Sequence, residues 1–120
     1  MTPPALVLLA AAAAGSPAAA QQEARDAVRC LVVSSVLVSL KDPAIRTAGL
    51  AATMYWLGRA NALMDDAALD RRMMEEASRM TGTDLKLEGQ RCGAEMEARG
   101  KALEATGRKL EALEARRRLD

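Results

Sequence analysis

The sequence predicts an all-α protein: a small four-helix bundle clamped by one disulfide, with a long C-terminal helix and a signal peptide in front. Three observations lead to this prediction. Apolar residues recur at helical spacing after residue 21, and no segment alternates convincingly enough to form a ladder of β-strands. Two cysteines, Cys30 and Cys92, stand far apart in the chain. The first twenty residues have the composition of an export signal.

The N-terminal segment carries no charged side chain before Glu23. A short apolar core, Leu6–Ala14, is followed by Gly15-Ser16-Pro17 and then by three alanines that suit a signal peptidase. We therefore expect cleavage after Ala20, which makes residues 1–20 a secretory signal.

Residues 21–120 then form one helical domain in the periplasm or outside the cell, with no stable membrane span. The alternative is an inner-membrane protein anchored by an uncleaved N-terminal segment. That segment is uncharged over roughly the length of ~20 residues that a spanning helix needs.

Charge and aromatic content argue against nucleic acid as a partner. The chain has 17 Lys and Arg against 16 Asp and Glu, so no strong field attracts DNA, RNA or an anionic bilayer. It has one tyrosine, one tryptophan and no phenylalanine, too few to stack on single-stranded bases.

The two cysteines indicate a disulfide, because an even number of cysteines in an exported protein usually means pairing. Two free buried thiols or an intermolecular link are the alternatives. A structural zinc site is not expected, because two cysteines cannot complete one and the chain has no histidine. We expect no metal and no cofactor.

Apolar periodicity and capping residues set the predicted helix boundaries. Asp42 before Pro43 and Asp65 with Asp66 are good helix starts. Gly82 suits a left-handed helix end, with Thr83 or Asp84 beginning the last helix. The predicted helices cover about 22–40, 43–64, 67–80 and 85–118.

The second predicted helix is taken as the element around which the bundle is organised. Ile45, Tyr55 and Trp56 fall on one face and Leu50 and Met54 on another, so we expect neighbouring helices on two sides. Its glycines, Gly49 and Gly58, predict that a partner backbone comes close to this helix.

The last helix contains four glycines that border one arc of its surface: Gly89, Gly93, Gly100 and Gly107. Interior glycines destabilise a helix, so their common side predicts another helix packed there. Met96, Leu103 and Leu110 have heptad spacing, which gives a weak coiled-coil seam.

No pattern of catalytic residues is present. The chain lacks histidine, the usual general base, and has no nucleophile elbow or phosphate-binding glycine loop. The neighbouring carboxylates Glu75 and Glu76 point in different directions on a helix. We therefore predict that the protein is not an enzyme.

Two kinds of binding site are predicted. A ligand pocket is expected near Tyr55, Trp56 and Arg59, although Arg59 also suits a pair with Asp or Glu at the edge of the core. A protein contact surface is expected on the methionine stripe and the last helix, with an envelope protein or a second copy as partner through the C-terminal helix. Its residues are Met73, Met74, Met80, Leu103, Leu110 and Leu113.

Several short stretches together resemble a known group of proteins. These are C-L-V-V-S-S beginning at Cys30, M-Y-W-L-G-R over Met54–Arg59, and Cys92 followed by a glycine-spaced helix. They are similar to uncharacterised small secreted helical proteins of alphaproteobacteria, which implies a signal peptide, a disulfide and a helical fold. The layout is also remotely similar to the periplasmic acid-stress chaperones of the HdeA type, which implies the fold alone.

The sequence thus predicts a non-enzymatic periplasmic or secreted protein that acts through protein–protein contacts. The alternatives are a periplasmic stress chaperone that works in acid, and a binder of small molecules.

Overall fold

The structure, a computed structural model, describes residues 16–119 and contains four helices in that range. They are α1 (Pro17–Val38), α2 (Pro43–Asn61), α3 (Asp66–Arg79) and α4 (Gly82–Leu119). No strand occurs between residues 16 and 119, which confirms the all-α prediction. The apolar core of the predicted signal, Leu6–Ala14, lies outside the described residues.

Helix α1 begins earlier than the predicted residue 22. The Ser16 hydroxyl accepts a hydrogen bond from the Ala19 amide at 3.1 Å, and Pro17 occupies the first helical position. A serine cap followed by proline is a helix start, whereas the sequence prediction placed both residues in the secretory signal. The helix therefore crosses the predicted cleavage site after Ala20. Cleavage there stays a prediction, and it would remove the first turn of α1.

The predicted caps of α2 and α3 are confirmed. Asp42 accepts from the Ala44 amide at 2.9 Å, and Pro43 opens α2. Asp65 accepts from the Ala68 amide at 2.8 Å and begins α3.

The start of α4 differs from the prediction for Gly82. No glycine between residues 16 and 119 has a positive φ, and Gly82 is the first residue of α4. Thr81 caps the helix instead: its hydroxyl accepts from the Asp84 amide at 3.1 Å, and Asp84 accepts from the Thr81 amide at 2.9 Å. The hydrogen bond that the Asp84 carboxylate accepts from the Thr81 amide, followed by a side-chain hydrogen bond with Thr81, holds the pKa of Asp84 below its ordinary value of 3.8.

Helix α1 is the centre of the bundle, and the other three helices all pack against it. In its β-branched second half Val32 and Val33 are buried, whereas Val36 and Val38 are exposed. The serine hydroxyl groups of this half donate to carbonyl groups of the preceding turn: Ser34 donates to the Cys30 carbonyl at 2.7 Å. The main core cluster consists of Ala27, Val28, Cys30, Leu31, Trp56, Ala60, Leu69 and Cys92.

The prediction that α2 is covered on two sides and organises the bundle is wrong. Trp56 and Ala60 face the core, but Leu50 is 57% exposed and Met54 is 66% exposed. Helix α2 packs mainly against α1. Leu57 and Met64 of the second apolar face pack against the core cluster, whereas no helix of the described residues covers Leu50 and Met54 of that face.

Gly49 makes the close approach between α1 and α2 possible. A Cβ atom at Gly49 would lie 2.8 Å from the Leu37 Cβ and 2.9 Å from the Val38 amide nitrogen. At Gly58 a Cβ atom would meet nothing within 4 Å. The prediction of a thin helix face is therefore confirmed at Gly49 and wrong at Gly58.

We predict that Gly49→Ala lowers the free energy of unfolding by about 1 to 3 kcal/mol, because the added methyl meets backbone that cannot move aside cheaply. Gly58→Ala is the matched control and should raise stability by about 0.5 to 1 kcal/mol through helix propensity. Urea unfolding followed by Trp56 fluorescence measures both. Equal midpoints for the two alanine variants would refute the close approach.

Candidate functional site

A disulfide joins α1 to α4, as predicted. The Cys30–Cys92 bond has an S–S distance of 2.01 Å and a Cα–Cα distance of 5.6 Å. Both residues are buried, and they belong to the core cluster. The bond therefore fixes the first third of the long helix to the central helix of the bundle.

The side chain of Arg91, the residue before Cys92, lies beside this disulfide. Its guanidinium Nη2 donates to the Asp26 carbonyl at 3.1 Å and lies 3.1 Å from the Cys30 sulfur. Its Nε donates to Glu88 Oε2 at 2.6 Å. Arg91 thus ties the α4 backbone to α1 beside the covalent link.

We call the attachment of α4 to α1 at Cys30 and Cys92 the joint. A charge cluster lies beside the joint and connects three helices. Arg29 of α1 donates to Glu88 of α4 at 2.7 Å, and its Nε lies 3.2 Å from Glu76 Oε2 of α3. The Arg29 and Glu76 side chains are only 16% and 8% exposed. Such a pair is costly to bury, so its partners must all be present for the cluster to be stable. The charge cluster consists of Arg25, Arg29, Glu76, Glu88 and Arg91.

Sequence reasoning missed the charge cluster. It correctly placed Glu75 and Glu76 on different sides of α3, because Glu75 is exposed and Glu76 is buried. It did not identify what meets Glu76, since the partners come from positions far away in the chain. The sequence did contain a signal. Glu76 lies at a core-facing position of α3, and Arg29 lies at a core-facing position of α1.

The joint brings three metal-ligand residue types together, because donor atoms of Cys30, Glu88 and Cys92 lie within 4.8 Å of one another. The two sulfurs are bonded to each other, so neither is a thiolate. Glu88 is already held by Arg29 and Arg91. In the oxidised protein the two sulfurs are therefore not available as metal ligands.

Tyr55, Trp56 and Arg59 are placed in three different surroundings. Trp56 is buried, with its ring edge-on to Tyr55 at a centroid distance of 4.8 Å. The Tyr55 hydroxyl donates to Glu95 of α4 at 3.2 Å. Arg59 lies 3.5 Å from Glu23 of α1, which confirms the ion-pair interpretation. A ligand role for the three residues stays a prediction.

An apolar cavity of about 300 Å³ lies between α1, α2 and α4. Trp56 lines it, whereas Tyr55 lines a separate shallow groove against the last helix with Arg99 and Leu103. The other walls of the cavity come from Val33, Ser34, Leu37, Ala48, Ala52, Gly89, Cys92, Gly93 and Met96.

The methionine stripe is divided between core and surface. Met73 packs against the core cluster, and Met80 is half-buried. Met74 is exposed beside a shallow groove that it shares with Met73 and Val36. These three methionines therefore do not form one continuous exposed surface.

The C-terminal part of α4 projects beyond the bundle. We call residues 97–119 the arm. Within it, only Ala105 and Gly107 are half-buried and every other residue is exposed. Leu103 is 72% exposed and Leu110 is 60% exposed, and Leu113 is exposed as well.

Among the described residues, a helix lies against the glycine side of α4 at Gly89 and not farther along. A Cβ atom at Gly93, Gly100 or Gly107 would meet nothing within 4 Å. Gly89 alone is close to another helix, at 3.6 Å from the Val33 Cγ1. Helix α4 therefore packs on the bundle only through its N-terminal part, and the prediction of a covering helix is confirmed at Gly89 and wrong at Gly93, Gly100 and Gly107.

Comparison of the chain with protein-family models, curated proteins and solved structures gives no match in any of the three. Between residues 16 and 119, no helix combines the length and apolar character needed to cross a membrane.

We predict that Glu76→Gln lowers the free energy of unfolding by about 3 kcal/mol, because it leaves Arg25 and Arg29 without their shared carboxylate in a mostly buried site. Glu75→Gln is the matched control: this exposed neighbour should change stability by less than about 0.5 kcal/mol. Urea unfolding measures the difference. A Glu76→Gln variant as stable as the control would show that the charge cluster contributes nothing.

Proposed function

We propose that this chain is a non-enzymatic exported protein that acts through protein–protein contacts, and that the arm of α4 is its contact surface. The observation that carries the proposal is the exposure of Leu103 and Leu110 on a helix that no other described element covers. Exposed leucines aligned on one helix face are typical of helix-mediated binding.

The joint at Cys30–Cys92 supports this function by holding the base of the arm. The disulfide, Arg91 and the charge cluster fix α4 between Glu88 and Cys92, and Met96 packs against the core cluster. A helix that is ordered before binding loses less conformational entropy when it meets a partner. The bundle therefore holds the N-terminal end of the arm in a fixed position.

Export is part of the proposal. Disulfides persist mainly in oxidising compartments, and the Cys30–Cys92 bond supports a periplasmic or secreted location. The chain has no histidine, and the buried charges around the joint pair with each other. This arrangement supports a structural and binding role over catalysis.

A small-molecule binder is the second candidate. The apolar cavity between α1, α2 and α4 supports it, because its volume of about 300 Å³ lies at the lower end of the range for ligand pockets. Its walls are almost entirely aliphatic, apart from Ser34, Cys92 and Trp56. A small apolar molecule would suit it.

The test uses the exported, oxidised protein with polar substitutions on the arm. We predict that Leu103→Ser together with Leu110→Ser abolishes the crosslinked complexes that the wild-type protein forms in its native envelope, because it removes the apolar face. Ala98→Ser with Ala112→Ser is the matched control on the opposite side of the arm, where both alanines are exposed. Chemical crosslinking followed by mass spectrometry identifies the complexes.

The control should form the same complexes as the wild-type protein. Circular dichroism checks that each variant remains helical. If the leucine variant kept every complex of the wild type, the arm would not be the contact surface.

A further inference from the structure

A polar cleft of about 650 Å³ lies between the N-terminal half of α1 and one face of α3. It shares no residue with the arm or with the apolar cavity, so it is a separate surface of the molecule. Its volume is within the range of pockets that bind small molecules. Six charged side chains line the cleft: Arg25, Arg71, Arg72, Glu75, Glu76 and Arg79.

The cleft carries an excess of positive charge. Its four arginines and two glutamates leave a net charge of +2. The whole chain has a net charge of only +1, so the excess is local and does not come from a generally basic composition. A concave site with one sign of charge raises the local concentration of ions of the opposite sign. The cleft therefore favours an anion.

Glu76 does not neutralise the arginines around it, because it is shared among three of them. Its Oε1 lies 3.4 Å from the Arg25 Nε and 3.8 Å from the Arg79 Nη1. Its Oε2 lies 3.2 Å from the Arg29 Nε, on the side of the joint. One buried carboxylate thus holds Arg25 and Arg79 near each other, and both arginine side chains stay exposed.

Arg71 and Arg72 add two further cations to the cleft. Neither forms an ion pair with a residue between 16 and 119, and Glu75 forms none either. Each arginine precedes a glutamate by four residues, which is the weaker order for a helical ion pair. The arginine hydrogen bonds of the described residues come from Arg29 and Arg91, which do not line the cleft. The guanidinium donors of the cleft are therefore available to an added acceptor.

The charge and the donors of the cleft match a phosphate monoester. Guanidinium groups bind phosphate and carboxylate oxygens through paired hydrogen bonds. A phosphate monoester carries a charge of about −1.5 to −2 at pH 7 and three acceptor oxygens, so one such group balances the net +2 of the cleft. A carboxylate has one charge and two oxygens. Gln21 and Gln22 also line the cleft, and their amides can bind polar groups on the rest of the molecule.

We infer that this cleft binds a small molecule through a phosphate monoester group. Arg71 and Arg72 contact the phosphate, and Arg25 and Arg79 supply further donors. Among the residues that line the cleft, Ala18 alone precedes the predicted signal cleavage site, so the mature chain keeps all four arginines. Because the cleft and the arm share no residue, a failure of phosphate binding would leave the proposed contact surface unaffected.

The test measures binding of glycerol 3-phosphate to the oxidised protein at low salt by isothermal titration calorimetry. Arg71→Gln with Arg72→Gln should weaken binding at least ~10-fold, because two charge-assisted contacts are lost. Glu75→Gln should tighten binding on the order of threefold, because it removes a negative charge from the cleft. The matched control is Arg108→Gln with Arg116→Gln on the arm, where both arginines are exposed. It removes the same charge as the cleft variant and should bind like the wild type.

Vesicles of phosphatidylcholine that contain phosphatidic acid test whether the phosphate belongs to a lipid headgroup. Binding of glycerol 3-phosphate supports a free phosphate ester, and binding of these vesicles alone supports a lipid headgroup, provided that the cleft variant loses the binding and the control keeps it. No binding of either probe, or an equal loss in the cleft variant and the control, would overturn the inference. Succinate bound as tightly as glycerol 3-phosphate, or an unchanged affinity of Glu75→Gln, would overturn it as well.

Discussion

The attachment of α4 to α1 at Cys30 and Cys92 is the constraint on which the rest of the structure depends. Helix α4 has 38 residues, yet it packs on the bundle only through its N-terminal part. At that place the disulfide, the Arg91 contacts to Asp26 and the Arg29–Glu88 pair act together. Closing a loop with a sequence separation of 62 residues stabilises the fold by about 4 kcal/mol in the chain-entropy model. For a domain of this size that is a large share of the total stability.

This attachment explains why the arm can be both ordered and exposed. The core is small and contains one buried aromatic side chain, Trp56, within the described residues. A bundle of this kind cannot cover a helix of 38 residues. The arm therefore leaves Leu103 and Leu110 in solvent, at an energetic disadvantage that association would remove. Its helix depends on the fixed base below Met96 and on local pairs such as Glu97 with Lys101 at 3.2 Å.

Local features of the fold could be predicted from the sequence, because they depend on neighbours in the chain. The caps at Asp42 and Asp65, the serine hydrogen bonds of α1 and the single possible intramolecular cysteine pairing are of this kind. Predictions about which helix lies beside which depended on long-range packing, and several were wrong. The helical periodicity of Leu50 and Met54 is that of core residues, but periodicity does not show whether another helix covers them in the folded protein. The charge cluster was missed for the same reason, since Glu76 meets Arg29 only after folding.

The claim that the joint holds α4 is tested most directly by amide hydrogen exchange, compared residue by residue between the oxidised and the reduced protein. If the joint holds α4, reduction should speed exchange most in the segment of α4 around Cys92, while the α1–α2 hairpin keeps most of its protection. The Cys30→Ser variant with Cys92→Ser should behave like the reduced protein. Unchanged exchange in α4, or an equal loss of protection in all four helices, would contradict the claim that this one joint positions the arm.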